Sequence, residues 1–181
     1  VIISTSGPGV TNLITPLQNA YSDGTPLLAI TAQVPINAIG TDAFQECDAV
    51  KLTTPCTKWS RLVLNENNIK ECLDIAYNVS MSPRKGPVHL DIPKDILTKE
   101  IKSKLQIYPI KTHESTMGKN IMNKITHCKT LFENCKKPLV IAGQGCNNSS
   151  EYLTRYSEKF NVPVTTTLHG MGCFNEKNKL S

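Results

Sequence analysis

Two polar segments of this chain have residue types that suit the binding of a ligand. The first is the glycine turn at residues 7–9, which follows the apolar run 1–3 and precedes a helical pattern. Its glycines let the backbone come close to a bound molecule, and the N–H groups at the start of a helix attract polar or negatively charged atoms. The second segment is residues 33–46, which follows the apolar run 27–31. A single glycine pair does not identify the ligand.

Strand and helix patterns place both segments at one edge of a sheet. Apolar runs predict strands at residues 1–3, 27–31, 58–63 and 87–92, with helical periodicity after the first and third of them. Because parallel strands have their carboxyl ends at the same edge, the loops that follow them meet in one crevice. The predicted fold class is therefore α/β, with doubly wound, mostly parallel sheets.

Shifts in composition divide the chain into two modules. Residues 1–97 carry the pattern just described, and residues 98–116 are polar and lack sustained periodicity, which predicts a linker between domains. Residues 117–181 predict the first part of a second α/β domain, with a helix, a strand at 138–142, the glycine turn 143–145, a second helix and a further strand. Both ends of the chain have the pattern of a domain interior, which predicts a fragment of a longer protein.

Composition argues against several classes of function. The net charge is +5, but the lysines are dispersed rather than clustered with aromatic residues, which argues against a nucleic-acid partner. No apolar run approaches the roughly 20 residues that span a bilayer, which predicts a soluble, intracellular protein without a membrane partner. Seven cysteines without zinc-site spacing predict buried free thiols in a reducing compartment, and four scattered histidines predict no metal site.

Several candidate residues also have explanations that involve no catalysis. An aromatic side chain such as Phe44 is more often part of a core, and Gln45 is equally suited to a turn. Lys58 is explained almost as well as a solvated charge, and Asp42 and Glu46 are better explained as acceptors that order the loop. From composition and periodicity alone, the chain is an α/β protein that binds a ligand.

Several short motifs identify the chain more closely, and they lie at residues 5–9, 11–12, 33–35, 39–46, 57–59, 86–87 and 91–95. In these motifs the chain resembles the acetolactate synthase (acetohydroxyacid synthase) catalytic subunits of the thiamine-diphosphate enzyme family, and the similarity extends over essentially the whole chain. The resemblance implies a pyrimidine-binding module followed by the start of a Rossmann-like central FAD-binding domain.

The resemblance also implies a reaction and its partners. Members of the family condense pyruvate with a second 2-ketoacid, pyruvate or 2-oxobutanoate, with loss of CO₂, on the way to branched-chain amino acids such as isoleucine and valine. The implied cofactors are thiamine diphosphate, Mg²⁺ and FAD. The implied assembly is a homodimer or homotetramer of the full-length subunit, together with a regulatory small subunit. The implied compartment is the bacterial cytoplasm, or the mitochondrion or plastid of a eukaryote.

The same resemblance implies which residues form the pyrimidine and substrate site. The turn with Pro8 and Gly9 matches family positions that contact the aminopyrimidine ring of the cofactor. The loop with Phe44 and Gln45 matches family positions near the thiazolium ring and the substrate. Lys58 and Lys94 match basic family positions near the active-site entrance, where a pyruvate carboxylate would approach. Lys94 is expected in a loop just after the end of a strand. The expected catalytic residues are Phe44, Gln45 and Lys94, those expected to contact thiamine diphosphate are Pro8, Gly9, Asn12 and Gln45, and those expected along the substrate channel are Pro35 and Lys58.

A further set of residues matches the family's contacts to FAD. They belong to both modules, so the resemblance implies that FAD lies across the domain boundary, with the turn 143–145 at a helix N-terminus. Val10, Lys85 and Gln144 depart from the residues usual in the family at these positions. The expected FAD contacts are Arg84, Gly143, Gln144, Gly145, Thr167, Leu168 and His169.

Two parts of the family's machinery are expected to lie outside this chain. They are the glutamate that activates the cofactor and the motif that binds the diphosphate through Mg²⁺, so the chain alone is expected to be inactive and to hold no metal ligands. Two alternatives remain open at this point. One is another thiamine-diphosphate enzyme, of the glyoxylate carboligase or oxalyl-CoA decarboxylase type, and the other is a non-catalytic nucleotide-binding α/β module.

Overall fold

The chain divides into two compact units, Val1–Glu114 and Ser115–Ser181. The computed structural model describes residues 1–100 of the first unit and 119–181 of the second. Most of the predicted linker, residues 98–116, and the predicted start of the second domain at residue 117 lie outside the described residues.

The first unit is built on a four-stranded parallel sheet with the strand order β1-β2-β4-β3. This arrangement confirms the predicted α/β class with parallel strands. Each predicted strand is present, within one or two residues of its expected bounds. The elements in chain order are β1 (Ile2–Ser4), α1 (Pro8–Asp23), β2 (Leu27–Gln33), α2 (Ala49–Thr53), β3 (Trp59–Leu62), α3 (Ile69–Met81), β4 (Pro87–Pro93) and α4 (Lys94–Leu97).

Helices cover both faces of this sheet. On one face, Leu17 of α1 packs with Ala29 of β2 and with Cys56, and all three are buried. On the other face, α3 places its buried side chains against a continuous apolar surface of the central strands, as expected for a parallel sheet covered on both sides. The buried residues of this second core are Val63, Cys72, Ala76, Val88, Leu90, Ile92 and Ile96.

Local chemistry sets the bounds of α1. The helix begins at Pro8, where the N–H that proline lacks would have had no partner within the helix. It ends at Gly24, which has a φ of +68° and donates its N–H back to the last turn. The helix therefore starts directly at the predicted glycine turn.

Within residues 119–181, the second unit contains two parallel strands and two α-helices. Its core packs Ala142 and Val164 against Cys173 and Phe174. The elements are α5 (Lys119–Glu133), β5 (Val140–Ala142), α6 (Ser150–Phe160) and β6 (Val164–Thr166), and β5 pairs with β6. No helix within residues 1–100 and 119–181 is long and apolar enough to cross a membrane.

Burial in the second unit is lower than the sequence predicts. On the predicted inner face of α5, the ring of Phe132 makes a tilted contact with Tyr156 and an edge-to-face contact with Phe160. Met122 and Leu131 on the same face are about 60% exposed. The physical reason is that two strands offer little sheet surface for a helix to cover.

The prediction that the cysteines are buried is only partly correct. Cys56, Cys72 and Cys173 are buried free thiols, whereas Cys128 and Cys135 are exposed. Cys128 lies on α5, and Cys135 follows the end of that helix. The two exposed thiols therefore share the low burial of the second unit.

Candidate functional site

The glycine turn and the loop after β2 meet at the carboxyl edge of the first sheet. Gly7, directly before α1, has a φ of +53°. A Cβ added to Gly7 would lie 2.7 Å from the carbonyl oxygen of Gln45. A Cβ on Gly9 would lie 2.5 Å from Oγ of Ser4. The turn is therefore packed on both sides by backbone or short side chains, and only glycine fits at these two positions.

One side chain, Glu46, holds the tip of the loop. Its carboxylate accepts hydrogen bonds from the backbone N–H of Gly40 and, at 3.2 Å, from that of Ala43. These backbone donors, Gly40 first, hold the pKa of the Glu46 carboxyl below its usual value. Gln45 next to it is exposed, and Phe44 is 88% exposed. The loop therefore presents an amide and an aromatic ring to solvent from a constrained backbone.

A buried hydrogen-bond cluster closes the base of the loop. The side-chain amide of Gln33, at the end of β2, donates to the backbone carbonyl of Cys47 and to Oδ2 of Asp91, both at 2.8 Å. Its carbonyl oxygen accepts from the N–H of Val34 at 2.9 Å. Oδ1 of Asp91 accepts from the hydroxyl of Thr31 at 2.6 Å. Gln33, directly before the loop of residues 34–48, and Cys47, near the end of that loop, are thus joined over a buried carboxylate.

The cluster extends along the sheet to His89, which is fully buried. Nε2 of His89 lies 2.8 Å from the hydroxyl of Thr31, and Nδ1 lies 2.9 Å from the hydroxyls of both Thr53 and Ser60. Because the Thr31 hydroxyl donates to Asp91, Nε2 carries the ring proton and Nδ1 accepts. Every polar atom of the imidazole therefore has a partner while the ring is neutral.

Burial shifts the pKa values of both ionisable groups in this cluster. Desolvation lowers the pKa of His89 to about 4, so the ring is neutral near pH 7. Desolvation also raises the pKa of Asp91, although hydrogen bonds from Thr31 and Gln33 act in the opposite direction. The negative charge of Asp48 raises it further.

A cavity of about 500 Å³ opens beside the loop and the cluster. Acidic residues from the loop, from the start of α2 and from β4 contribute to its lining. The lining residues are Gln33, Ile39, Gly40, Glu46, Cys47, Asp48, Ala49, Val50, Ser60, Arg61, Leu62 and Asp91.

Most of the predicted pyrimidine and substrate residues lie at this same edge. Pro8 and Gly9 form the first turn of α1, and Asn12 is exposed one turn further on. Pro35 is half-buried at the start of the loop. Lys94 is exposed after β4, but it begins the short helix α4 rather than lying in a loop, because Pro93 ends the strand with a φ of −57° that suits a helix start.

Two predicted residues lie at the opposite edge of the sheet. Lys58 precedes β3, and Arg84 precedes β4, so both are at the amino ends of parallel strands. The guanidinium of Arg84 donates to the carbonyl of Ser22 at 2.5 Å. The structure therefore does not bring Lys58 or Arg84 together with the loop.

The ammonium of Lys58 is occupied at the end of α3. It donates to the carbonyls of Val79, Ser82 and Arg84 at 2.6, 3.2 and 2.9 Å, and to the hydroxyl of Ser82 at 2.7 Å. Burial lowers the pKa of Lys58. The carbonyls at a helix end lack partners within the helix, so a cation there satisfies them and interacts favourably with the helix dipole. The contacts give Lys58 a structural role, and its expected position on a substrate channel stays a prediction.

Replacing Lys58 by methionine is expected to destabilise the first unit by about 1–3 kcal/mol, because the change keeps the aliphatic chain and removes hydrogen bonds to several partly buried acceptors. Urea unfolding of this chain measures the effect. The control is Lys51→Met, which alters an exposed lysine paired with Asp48 and should move the midpoint much less. Equal shifts for the two variants would contradict the structural role of Lys58.

In the second unit, the two predicted FAD turns lie side by side. A Cβ on Gly143 would be 3.7 Å from Oγ1 of Thr167, and the N–H of Thr167 donates to the carbonyl of Ala142 at 2.9 Å. The side chain of Asn147 donates to the carbonyl of His169 at 3.2 Å. Both turns follow the carboxyl ends of their strands. Leu168 is 74% exposed.

The expectation of a helix N-terminus at this turn is wrong. Gln144–Cys146 form a 3₁₀ turn, and α6 begins only at Ser150. Four residues, 146–149, therefore separate Gly145 from the start of the helix. Across residues 1–100 and 119–181, no group of three or more histidine, cysteine or acidic residues is placed to hold a metal ion.

The buried cluster is the functional feature that sequence reasoning missed. A signal for it exists, since polar residues two positions apart occur at the end of two predicted strands, Thr31 with Gln33 just after the strand 27–31, and His89 with Asp91 within the strand 87–92. Residues two apart on a strand share a face, so each pair would point to the same side of the sheet. That both pairs face each other follows from the register, in which Thr31 lies opposite Asp91.

Two family models match this chain, one in each of its two units. The family model for the "Thiamine pyrophosphate enzyme, N-terminal TPP binding domain" matches residues 1–52. The model for the "Thiamine pyrophosphate enzyme, central domain" matches residues 125–181. The two matches fall in separate units, in the same order as the two domains that their names describe.

Curated relatives match the whole chain. It is 38% identical over 192 residues to "Acetolactate synthase, mitochondrial" of Schizosaccharomyces pombe, covering 100% of this chain and 29% of the relative. It is 40% identical over 179 residues to "Acetolactate synthase large subunit" of Buchnera aphidicola, covering 96% and 31%. It is 39% identical over 183 residues to "Acetolactate synthase, chloroplastic" of Arabidopsis thaliana, covering 100% and 27%. The chain thus spans a little under a third of the length of these relatives.

Proposed function

This chain belongs to the thiamine pyrophosphate (thiamine diphosphate) enzyme family, and we propose that it is part of an acetolactate synthase catalytic subunit. Such an enzyme joins pyruvate to a second 2-ketoacid and releases CO₂. The observation that carries the proposal is the 38% identity over the whole chain to a named acetolactate synthase. The convergence of the glycine turn, the loop and Lys94 at one sheet edge supports it.

The turn before α1 suits the pyrimidine half of thiamine diphosphate. At Gly7 and Gly9 the surface offered to a ligand is backbone, because a Cβ would collide with neighbouring atoms. Among the described residues no side chain caps the first turn of α1, but Pro8 lacks an N–H and that of Gly9 donates to the carbonyl of Ser6 at 3.1 Å, so the turn offers a ligand a close backbone surface rather than a row of free donors. We place the ring against Pro8, Gly9 and Asn12. When bound, the cofactor supplies the electron sink for decarboxylation and carbon–carbon bond formation.

The loop and α4 would bind and orient the substrate. The amide of Gln45 offers both a donor and an acceptor to oxygens of the cofactor or the 2-ketoacid. Lys94 brings a positive charge to the same edge, where it would attract the substrate carboxylate. The exposed ring of Phe44 would cover apolar surface of the bound molecules and exclude water, and Pro35 would form a rigid wall at the entrance.

FAD is proposed for the second unit. The turns at Gly143, Gln144 and Gly145 and at Thr167, Leu168 and His169 present backbone groups beyond two adjacent strand ends, where α/β folds hold dinucleotides. In this role FAD would be structural. A contact from Arg84 stays a prediction.

The remaining proposals concern groups and partners beyond this chain. Mg²⁺ would be held with the diphosphate by residues that are not part of it. The full-length subunit would form a homodimer or homotetramer and bind a regulatory small subunit, and its substrates would be small 2-ketoacids. The relatives' names point to a mitochondrion or a chloroplast in eukaryotes, and we propose one of these or the bacterial cytoplasm as the compartment.

The full-length protein is expected to form acetolactate from pyruvate when supplied with thiamine diphosphate, Mg²⁺ and FAD, and this chain alone is not. In that protein, Gln45→Ala and Lys94→Ala should each lower kcat/KM for pyruvate by about ten- to a hundredfold, the effect of losing a hydrogen bond or charge contact to an ionised ligand. Steady-state kinetics measure both.

Gln18→Ala and Lys129→Ala serve as controls, since Gln18 is exposed on α1 and Lys129 is exposed on α5 in the second unit. They should leave the kinetics unchanged. Absence of acetolactate with the wild-type protein would overturn the proposed function. Wild-type kinetics in both site variants would overturn the placement of the substrate.

A further inference from the structure

The loop that carries Gln45 has little regular secondary structure, so its conformation depends on contacts made by side chains. Within residues 34–48 the described backbone has a single 3₁₀ turn, Ile36–Ala38, and no strand or α-helix. Asp42 and Gln45 have φ angles of +56° and +63°. This left-handed region is unfavourable for residues with side chains, so such a conformation persists only where surrounding contacts enforce it.

The base of the loop is held by Gln33. Its side chain is 5% exposed and uses all of its hydrogen-bonding atoms, two N–H groups to Cys47 and Asp91 and the carbonyl to the N–H of Val34. The bond to Cys47 spans 14 residues and joins the two ends of the loop. Closing the loop at its base restricts the conformations open to everything between.

The carboxylate beneath Gln33 is itself fixed. Asp91 is 1% exposed, and its two oxygens accept from Thr31 and Gln33. A buried carboxylate with one donor on each oxygen has little freedom to rotate, because rotation would leave a buried polar atom without a partner. Gln33 is therefore hydrogen-bonded to a carboxylate of fixed orientation on β4, one of the two inner strands of the sheet.

The tip of the loop is held separately by Glu46. Its two carboxylate oxygens accept from the N–H groups of Gly40 and Ala43, which fold residues 40–46 around the side chain. The neighbouring residue Gln45 also packs its backbone against Gly7. The direction in which Gln45 points is thus set by the residues around it, whereas its own side chain is exposed.

We propose that Gln33 and Glu46 are positioning residues, which hold the loop at its base and its tip so that Gln45 faces the substrate. The inference rests on the proposed function in one respect, the presence of substrate next to Gln45. The holding of the loop itself can be measured without activity. Loss of either side chain would let residues 34–48 sample other conformations while the sheet stays intact.

The experiment uses the full-length protein with Gln33→Leu for the base and Glu46→Gln for the tip. The matched controls are Gln18→Leu on α1 and Glu71→Gln on α3, which change the same groups at exposed helix positions. Hydrogen–deuterium exchange of the peptide 34–48 is expected to be about tenfold faster in both loop variants, with exchange in α3 unchanged. kcat/KM for acetolactate formation should fall about tenfold, with kcat reduced more than KM is raised.

The outcomes separate the inference from the proposed function. Faster exchange confined to residues 34–48, together with lower kcat, supports the inference. Unchanged exchange in both variants overturns it, whatever the kinetics. Faster exchange with wild-type kinetics, in a protein that does form acetolactate, overturns the positioning role.

Since Glu46→Gln alters a residue near the surface, this variant should fold even where Gln33→Leu does not. If the wild type forms no acetolactate, the proposed function fails and with it the link to the substrate, while exchange still decides whether these side chains hold the loop.

Discussion

Gly7→Ala is expected to lower kcat/KM for pyruvate by about a hundredfold in the full-length enzyme, and to destabilise the first unit by about 1–3 kcal/mol. Two effects add at this position. The φ of +53° is unfavourable for alanine, and the new Cβ would lie 2.7 Å from the carbonyl oxygen of Gln45 and 3.1 Å from its Cα. Both of those atoms belong to backbone, so relief requires the loop to move. A shift of about 1 Å in a substrate-orienting group is enough for a loss of this size.

The control for Gly7 is Gly172→Ala. Gly172 has a φ of +87°, but no heavy atom lies within 4 Å of the position its Cβ would take. This variant carries the backbone strain without the collision, so it should lower stability and leave kcat/KM near the wild-type value. Acetolactate formation and urea unfolding are measured on both variants. If Gly7→Ala behaved as Gly172→Ala does, the contact between the turn and the loop would have no part in activity.

The first unit is expected to lose about 3 kcal/mol of stability as the pH falls from about 6.5 to about 4, because of His89. The folded protein keeps this buried ring neutral down to a pKa of about 4, whereas in the unfolded chain it takes up a proton near pH 6.5. Between these values the unfolded state binds more protons, so acid favours unfolding. Below pH 4 both states are protonated and the loss from this residue is complete.

Asp91 acts in the opposite direction over part of this range. Burial raises its pKa in the folded state, so acid favours folding as far as this group is concerned. The two contributions are separated by comparing the wild type with His89→Gln, which retains hydrogen-bonding atoms but does not titrate. The difference in unfolding free energy between them should change with pH between 4 and 6.5 and be constant below pH 4.

Urea unfolding of this chain at several pH values measures the difference. The matched control is His127→Gln, which removes an exposed histidine from α5 and should preserve the pH dependence of the wild type. A His89→Gln variant whose stability ran parallel to the wild type from pH 6.5 to pH 4 would show that the buried ring does not titrate as the structure implies.

The amino-acid sequence by itself determined the order and type of the elements in the first unit. Apolar runs mark buried parallel strands, and 3.6-residue periodicity marks the helices that cover them, because burial of a strand or helix face depends on residues close together in the chain. The glycine turn before α1 was predictable for the same reason, since glycine and proline restrict the backbone locally. The motifs that relate the chain to its family are likewise a property of the sequence alone.

Burial in the second unit was not predictable in this way. The periodicity of α5 predicts an apolar face, and that face exists, but Met122 on it is 60% exposed. A periodic pattern indicates which side of a helix avoids water. It does not indicate how much protein surface is available to cover that side.

Only the tertiary structure decided which polar residues act together. The hydrogen bonds from Thr31 to Asp91 and from Gln33 to Asp91 join residues 60 and 58 positions apart, and they depend on the register of β2 with β4. The same is true of Lys58, whose ammonium meets carbonyls more than 20 positions away at the end of α3. A charge or an amide in a sequence has many possible partners, because hydrogen bonds act over about 3 Å in space and have no periodicity along the chain. The fold selects among those partners, and for this reason the contacts of Lys58 at the end of α3 could not be predicted from the sequence.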